Sequence, residues 1–322
     1  MMDLNDFMKK QIIFVFLDRG EKISFSNDNI IVKDKNNRIK HQSTCYRIFA
    51  VFIIGSITMT SGLIQRSHKF GFPIVLMTTS MRAYDMIGNK LEGNTLLRRK
   101  QYSYEQIDLG RRIVENKIHN QRWALNQQRH KNTELKEAIA KLDKYVAEVR
   151  HYEGDLPGLL GYEGSAARLY FKHNFNNVSW GGRKPRIKSD YINSTLDIGY
   201  TILFNTIDAM LCIYGFDTYY GVLHRSFYMR KSLVCDLVEP FRPLIDLQTR
   251  KSINLKQCQE EDFEIINNRY LLKWNENKRY VSFLMQPILE NKKEIFLYIQ
   301  SYYRAFMKQK PAEDFPFFRM EE

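Results

Sequence analysis

The residues with the clearest potential for chemistry lie in three short segments of the second half of the chain. Glu163 lies among glycines and small residues, which let another backbone or a ligand approach a carboxylate closely. His224 follows a turn that begins at Gly221, and Asp236 and Glu239 share the third segment. One histidine with two or three carboxylates suits Mg²⁺ or Mn²⁺ better than a metal that prefers thiolates. The three segments therefore indicate a divalent-metal site.

The two acids of the third segment are three residues apart along the chain. In a helix they share one face, with their Cβ atoms about 5–6 Å apart. Two acids placed in this way repel each other unless a cation or an arginine lies between them. Each candidate also has an ordinary structural interpretation: Glu163 as a charge at a helix N-terminus, His224 as a hydrogen-bonded core histidine, and Asp236 and Glu239 as a solvated face.

A stretch of basic residues without any acid precedes Asp190. The whole chain carries a formal net charge of +13, which favours nucleic acid or an acidic membrane face as a partner. Trp180 lies inside the stretch, and an aromatic ring beside a flexible basic loop can stack on a base while the cations hold phosphates. A solvated face is the alternative interpretation. The candidate DNA-binding residues are Arg168, Lys172, Arg183, Lys184, Arg186 and Lys188.

The elements that must position these residues change character near residue 95. Before it, five short apolar segments predict strands of a small sandwich or rolled sheet, at 12–17, 23–25, 30–32, 49–54 and 74–77. After it, apolar residues recur at helical spacing, and predicted helices include 162–172, 191–214, 232–239 and 294–308. The sequence thus predicts an α+β fold, with a β-rich dimerisation domain at 1–95 and an all-α catalytic domain at 96–322.

Several common classes of protein lack support in the sequence. No phosphate-binding loop, G-x-G-x-x-G fingerprint, G-x-S-x-G elbow or H-E-x-x-H pair occurs. The four cysteines are far apart, which argues against a disulfide scaffold and against a cysteine zinc site. The uncharged run at 48–64 is seventeen residues long, too short and too polar for a bilayer span, and it favours a buried strand. We therefore expect no membrane partner.

Taken together, the segments resemble the integrases of CRISPR adaptation, the family numbered first among the CRISPR-associated proteins. The shared motifs occur in order along nearly the whole chain: Glu163-Gly164 with Ala167-Arg168-Leu169-Tyr170, Asn193 with Gly199-Tyr200, Gly221-Val222-Leu223-His224, and Asp236-Leu237-Val238-Glu239-Pro240-Phe241-Arg242. Two further runs are similar to that family: Gln101-Tyr102 and Lys117-Ile118-His119-Asn120-Gln121. The order of a β-rich part before a helical part agrees with the resemblance.

The resemblance implies a role for each candidate residue. Glu163, His224 and Glu239 match the family's divalent-metal ligands, with Asp236 as the acidic neighbour, so these four are the candidate catalytic residues. The implied reaction is integration of short donor (prespacer) DNA into a CRISPR array. A 3′-hydroxyl of the donor attacks a phosphodiester at a repeat edge, and Mg²⁺ or Mn²⁺ polarises the phosphate. The implied setting is the prokaryotic cytoplasm, in defence against viruses.

The resemblance also implies partners. They are double-stranded DNA, as donor and as CRISPR repeat, and the small second CRISPR-associated adaptation protein, with two dimers of this chain flanking one dimer of it. The sequence gives a separate argument for the homodimer. The strands predicted at 12–17 and 49–54 supply more apolar surface than one small sheet needs, so we expect the β-rich domain to dimerise.

Two other hypotheses stay open at this point. A structure-specific DNA endonuclease would use the same metal, with water in place of the 3′-hydroxyl as the nucleophile. A non-catalytic nucleic-acid-binding subunit would hold no metal, and its acids would be structural.

Overall fold

The computed structural model describes residues 2–88, 91, 93–224 and 228–320 of the chain. Strands dominate the N-terminal region and helices dominate the rest, so the predicted α+β class is confirmed. The five predicted strands correspond to β1, β2, β3, β5 and β6 of the N-terminal region. Its elements are α1 (Leu4–Lys9), β1 (Gln11–Leu17), β2 (Lys22–Ser26), β3 (Asn29–Lys33), β4 (Ile39–Thr44), β5 (Ile48–Gly55), α2 (Ser61–Phe70), β6 (Ile74–Met77) and β7 (Ala83–Ile87).

The strands of the N-terminal region form two sheets that enclose a small core. One sheet has the order β1-β5-β6-β7 and is parallel except for the antiparallel pair β6–β7. The other is an antiparallel meander with the order β2-β3-β4. Ile13 and Val15 of β1 and Ile30 and Val32 of β3 share one apolar cluster between the sheets. This arrangement agrees with the predicted small sandwich.

The other face of the four-stranded sheet packs against the helical region of the same chain. Phe52 and Ile54 of β5 belong to the core of the helical region. Phe14 stacks on Phe52 with ring centroids 4.6 Å apart, and Phe7 stacks on Phe296 at 4.3 Å. Residues 48–54 of β5 are buried, whereas Ile12, Phe14 and Phe16 of the edge strand β1 are only partly buried. Much of the apolar strand surface that we expected a second copy to cover thus packs within one chain, and the homodimer stays a prediction.

The helical region supplies the elements that hold the candidate site. The helices predicted at 162–172, 191–214, 232–239 and 294–308 correspond to α6, α7, α8 with the 3-10 turn that follows it, and α11. The described helices are α3 (Thr95–Tyr102), α4 (Asp108–Asn126), α5 (Thr133–Arg150), α6 (Leu156–Asn174), α7 (Tyr191–Tyr214), α8 (Ser232–Val238), α9 (Arg242–Asn254), α10 (Asn277–Glu290) and α11 (Lys292–Met307).

The second region is mostly rather than entirely helical, which corrects the all-α prediction. Strands β8 (Phe263–Ile266) and β9 (Arg269–Leu272) form an antiparallel hairpin. Its two turn residues, Asn267 and Asn268, have φ values of 51° and 59°, a left-handed conformation that asparagine tolerates and that suits the twist of a two-residue hairpin. The backbone N–H of Tyr270 donates to the carbonyl of Lys188 at 2.9 Å, which joins the hairpin to the basic stretch.

Helix α7 runs through the core of the helical region. It begins where the Asp190 carboxylate accepts a hydrogen bond from the Asn193 N–H at 2.7 Å, and it ends at Gly215, whose φ is +84°. Among the described helices it alone is long and apolar enough to cross a membrane. In its most apolar window 72% of the residues are buried inside the protein, which is the environment of a core helix.

Candidate functional site

Four elements of the helical region bring charged side chains to one place. Lys117 lies in the middle of α4, and Glu163 lies in the first half of α6. Glu239 begins the 3-10 turn between α8 and α9, and Arg242 is the first residue of α9. His224 lies in the connection between α7 and α8. Helix α4 packs against both α6 and the 3-10 turn, so residues far apart in the sequence converge.

Lys117 lies between the two candidate glutamates. Its ammonium forms an ion pair with the Glu163 carboxylate, and it lies 2.6 Å from Oε2 of Glu239. Arg242 Nε lies 3.1 Å from Oε1 of Glu239, so that carboxylate has a cation on each side. We call Lys117, Glu163, Glu239 and Arg242 the site cluster. Lys117 and Glu239 are buried, whereas the side chains of Glu163 and Arg242 are partly exposed.

Burial and pairing act in opposite directions on the pKa values of the site cluster. Burial alone raises the pKa of Glu239, but Arg242 and Lys117 outweigh it and lower that pKa to about 2. Burial lowers the pKa of Lys117, and the negative charges of Glu239 and Glu163 raise it further than burial lowers it. Glu239 is therefore an anion, and Lys117 a cation, at any physiological pH.

Asp236 holds His224 and the loop before it. The Asp236 carboxylate is fully buried and accepts backbone N–H bonds from Val222, Leu223 and His224 at 2.6, 3.0 and 2.8 Å. It also lies 2.7 Å from Nδ1 of His224. A Cβ on Gly221 would come within 2.6 Å of Asp236 Oδ2, so only glycine allows this close approach.

The contact with Asp236 fixes the protonation pattern of His224. Because the Asp236 carboxylate accepts at this contact, Nδ1 carries a proton, and Nε2 keeps its lone pair for a ligand when the ring is neutral. Burial lowers the pKa of His224, while the hydrogen bond and charge of Asp236 raise it more, with a further contribution from Glu239 and Glu163. The two acids of the third segment thus have separate partners: the loop N–H groups and His224 for Asp236, and the cations Lys117 and Arg242 for Glu239.

The donor set of the site fits a divalent cation. Glu163 and Glu239 converge on one cationic atom, Lys117 Nζ, so their oxygens already define a position for positive charge. Oε2 of Glu239 is buried and makes no hydrogen bond of normal geometry. Carboxylate oxygens with one imidazole nitrogen are ligands that Mg²⁺ or Mn²⁺ takes. As the side chains stand in the described residues, no three His, Cys, Asp or Glu groups are close enough to enclose a metal ion.

A large cleft opens beside the site cluster. Its volume is about 2280 Å³, and Lys117, Glu163 and Glu239 lie in its wall. Five of the six predicted DNA-binding residues also line it: Arg168, Lys172, Arg183, Arg186 and Lys188. Lys184 is exposed but is not part of this lining. Cations that the sequence interpretation missed also line the cleft, among them Arg82 from the N-terminal region and Arg269 from the hairpin.

The basic loop, residues 181–188, is anchored at several points. Arg183 donates to Asn193 Oδ1 at 2.9 Å and to Asp197 Oδ1 at 2.5 Å, and its side chain is 11% exposed. Lys188 Nζ donates to the carbonyl of Ser80 in the N-terminal region at 3.2 Å. Lys184 and Arg186, in contrast, are exposed to solvent. The predicted group of phosphate-binding residues therefore contains two structural cations.

Trp180, which we considered as a base-stacking residue, anchors the start of the loop. Its ring packs edge-on against Phe175 with centroids 4.8 Å apart, and its Nε1 donates to Asp190 Oδ1 at 3.1 Å. The partly buried indole already uses its hydrogen-bond donor within the chain. Its observed role is therefore to attach the basic loop to α6 and to the N-terminus of α7.

Tyr200 of α7 connects the basic loop with the site cluster. The guanidinium groups of Arg183 and Arg242 both lie over its ring, 5.3 and 4.6 Å from the centroid. Its hydroxyl donates to the buried Asp246 carboxylate. Burial raises the pKa of Asp246 to about 6, although the hydrogen bond from Tyr200 and the nearby arginines act against the rise. Tyr200 thus fixes Arg242 beside Glu239.

Comparisons with known proteins identify a family for the chain. The family profile described as CRISPR associated protein Cas1 matches residues 14–285. CRISPR-associated endonuclease Cas1 1 of Thermodesulfovibrio yellowstonii is 26% identical over 288 residues, which is 83% of this chain and 88% of that protein.

Two solved structures share the fold. One, titled as a Cas6-RT-Cas1–Cas2 complex, has a TM-score of 0.83 at 24% identity, covering 98% of this chain and 36% of that chain. The other, a casposase bound to integration product, has a TM-score of 0.78 at 17% identity, covering 97% of this chain and 96% of that chain. At these identities the likeness concerns the fold alone.

Proposed function

The chain belongs to the CRISPR associated protein Cas1 family, and from this premise we propose that it is a metal-dependent DNA integrase of CRISPR adaptation. In the proposed reaction a 3′-hydroxyl of donor DNA attacks a phosphodiester at a repeat edge. A bond forms between the donor oxygen and phosphorus, and the array strand leaves as a new 3′-hydroxyl. A second attack joins the other strand. Each step exchanges one phosphodiester for another, so no covalent protein–DNA intermediate is needed.

The observation that carries this proposal is the convergence of Glu163 and Glu239 in the wall of a wide basic cleft. These two carboxylates and Nε2 of His224 would hold Mg²⁺ or Mn²⁺, which supplies Lewis acidity toward a phosphate when bound. Asp236 keeps the proton of His224 on Nδ1. Arg242 helps to keep Glu239 ionised, because its charge opposes protonation of that carboxylate.

The cleft fits a substrate of variable sequence. Its cations can neutralise phosphates whatever the bases are, and phosphate contacts position DNA without reading its sequence. An integrase that accepts varied donors needs this kind of binding. The fold is shared with a casposase that was solved with its integration product, which favours strand transfer over simple cleavage.

The alternative activity is endonucleolytic cleavage by the same site. Curated relatives carry the name endonuclease, and cleavage differs from strand transfer only in the nucleophile, which is water. The two reactions give different products from one labelled donor: a longer joined strand or shorter fragments. A binding subunit without chemistry gives neither.

The proposal includes partners and a place in the cell. A structural neighbour is titled as a complex with Cas2, which supports the small second adaptation protein as a partner. We place both proteins in the prokaryotic cytoplasm, with two homodimers of this chain, formed through residues 1–95, flanking one dimer of the partner. Light scattering of the chain alone tests the homodimer, and a monomer at micromolar concentration contradicts it.

The deciding experiment compares two labelled donor duplexes with a repeat-containing target, with and without the small partner. One donor ends in a 3′-hydroxyl and its matched control ends in a 3′-deoxy group. We expect joined product only from the first donor, only with Mn²⁺ or Mg²⁺, and none after chelation. Cleavage with both donors supports the nuclease, and binding without product, unchanged by chelator, supports the structural role.

A further inference from the structure

Lys117 occupies the position at which the two proposed glutamate ligands meet. Its ammonium contacts Glu163 and lies 2.6 Å from Oε2 of Glu239. In the part of the chain that the structure describes, these carboxylates are its hydrogen-bond and ion-pair partners. Its stem belongs to the middle of α4, which is buried against α5 and α6. In the sequence, Lys117 belongs to a run that is similar to the CRISPR integrases, and the resemblance assigns it no role.

The charges of the site cluster already balance without any added ion. Glu163 and Glu239 contribute two negative charges, and Lys117 and Arg242 contribute two positive charges. A divalent cation placed between the same carboxylates would leave an excess of two positive charges at close range in a buried site. Such an excess is strongly unfavourable where the effective dielectric constant is low. Withdrawal of one of the existing cations would relieve this excess.

Of the two cations, Lys117 is the one placed to withdraw. The Arg242 guanidinium is held over the Tyr200 ring at 4.6 Å and pairs with Oε1 of Glu239, the oxygen directed away from Lys117. The ammonium of Lys117 is a point charge on a flexible four-carbon stem, and Lys117 also lines the cleft. Rotation of its side chain can free both carboxylates without moving a helix.

We infer that Lys117 competes directly with the divalent cation for the position between Glu163 and Glu239, and so sets the metal affinity of the site. This inference rests on the metal dependence of the proposed function. Lys117 is a positioning residue: it holds the two ligands together at the distance of one shared cation, and it exchanges with the metal at that position. The cost of displacing it lowers the affinity of the site for Mg²⁺ or Mn²⁺.

The test is Mn²⁺ binding to the full chain, measured by electron paramagnetic resonance without any DNA. Lys117→Met keeps the length of the stem and removes the competing charge, so we expect Mn²⁺ to bind at least about tenfold more tightly than in the parent chain. Lys136→Met is the matched control, because Lys136 is an exposed lysine of α5 that is not part of the cleft lining. We expect no change in its Mn²⁺ affinity.

A second variant protects the test against misfolding of the first. Lys117→Arg keeps the charge and offers a fork of donors that holds carboxylates more firmly than an ammonium does, so Mn²⁺ should bind several-fold more weakly. Thermal melting gives an independent readout, because a ligand that binds only the folded state raises the melting temperature. The rise caused by Mn²⁺ should be larger for Lys117→Met than for the parent chain.

The outcomes separate this inference from the proposed function. Equal or weaker Mn²⁺ binding by Lys117→Met overturns the competition and leaves a metal-dependent enzyme intact. If Lys117→Met does not fold, the test rests on Lys117→Arg. Mn²⁺ binding by Lys117→Arg that is as tight as in the parent chain, or tighter, then overturns the competition in the same way. Absence of Mn²⁺ binding in the parent chain and in every variant at millimolar metal overturns both claims.

Discussion

The site cluster and the basic loop use charged side chains in opposite ways. In the site cluster every charge has a partner at contact distance, and Lys117 is almost completely buried. In the basic loop Arg183 and Lys188 are bonded within the chain, while Lys184 and Arg186 are exposed. A run of cations that looks uniform in the sequence therefore contains both structural residues and residues that are available to a partner.

Substitutions in the site cluster and in the basic loop should therefore have different effects. Removing one member of a buried, paired cluster leaves the other charges uncompensated, which is strongly unfavourable. Removing an exposed lysine or arginine loses only its own contact with solvent or a phosphate. The two regions should therefore differ in the size of the effect and in its kind: chemistry fails when the cluster is changed, and affinity weakens when the exposed part of the loop is changed.

The largest effect is expected from Glu239→Ala. It removes an anionic ligand and leaves Lys117 and Arg242 without their shared counter-charge, so strand transfer should be abolished. Duplex binding should remain nearly intact, because affinity comes mainly from phosphate neutralisation elsewhere in the cleft. The measurement is the rate of strand transfer against Mn²⁺ concentration, with Glu239→Gln as the control of equal size. Recovery of Glu239→Ala at high Mn²⁺ would show that the ligand is another residue.

A smaller loss is expected from Asp236→Asn, because Asp236 acts through His224 rather than on the metal. The amide cannot accept from three backbone N–H groups and Nδ1 as the carboxylate does, so His224 loses its fixed tautomer. Strand transfer should fall about 10–100-fold, with partial recovery at high Mn²⁺. The pH profile of the rate should also change, which a purely structural role would not produce. A variant that is inactive at every Mn²⁺ level would make Asp236 the ligand.

Arg183 and Arg186 form a matched pair within the basic loop. Arg183→Ala removes hydrogen bonds to Asn193 and Asp197 and should lower the free energy of unfolding by about 1–3 kcal/mol. Arg186→Ala, at an exposed position, should change it by less than about 0.5 kcal/mol. Urea denaturation of both variants measures the difference. Equal stabilities of the two variants would mean that the hydrogen bonds of Arg183 contribute nothing to folding. Arg183 and Arg186 would then not differ as a structural and an exposed residue.

The smallest effect is expected from the exposed part of the loop. Lys184→Glu with Arg186→Glu should weaken duplex binding, because each lost phosphate contact lowers the log–log salt slope by about 0.9. The six-residue prediction from the sequence included Arg183, which the structure places against Asp197, so its reversal would mix binding with folding. The salt dependence of binding is the measurement. An unchanged slope would make the loop a solvated surface only.

Helices and strands could be predicted from the sequence where a local pattern of residues marks them. The bounds of α7 follow from an apolar core pattern between the N-cap Asp190 and the C-terminal Gly215, and the prediction of 191–214 is confirmed. β6 could be predicted from a continuous apolar run. β4 was missed because its residues are mostly exposed and polar, so its strand conformation depends on pairing with β3.

The parts of the site that could not be predicted from the sequence depend on tertiary contacts. Lys117 gains its role only because α4 packs against α6 and the turn after α8, which nothing in its own neighbourhood in the sequence reveals. Asp236 and Glu239 are three residues apart as predicted, yet one contacts a loop and the other two cations. The motifs located the candidate ligands, but the assignment of a partner to each charge required the structure.

The most direct test of the account is one strand-transfer experiment on two variants at saturating DNA. Glu239→Gln represents the site cluster, and Lys184→Glu with Arg186→Glu represents the exposed part of the basic loop. We expect no joined product from Glu239→Gln at any DNA concentration, and a rate close to that of the parent chain from the loop variant once DNA saturates it. The account is contradicted if the loop variant stays inactive at saturation, or if Glu239→Gln regains activity when DNA is added in excess.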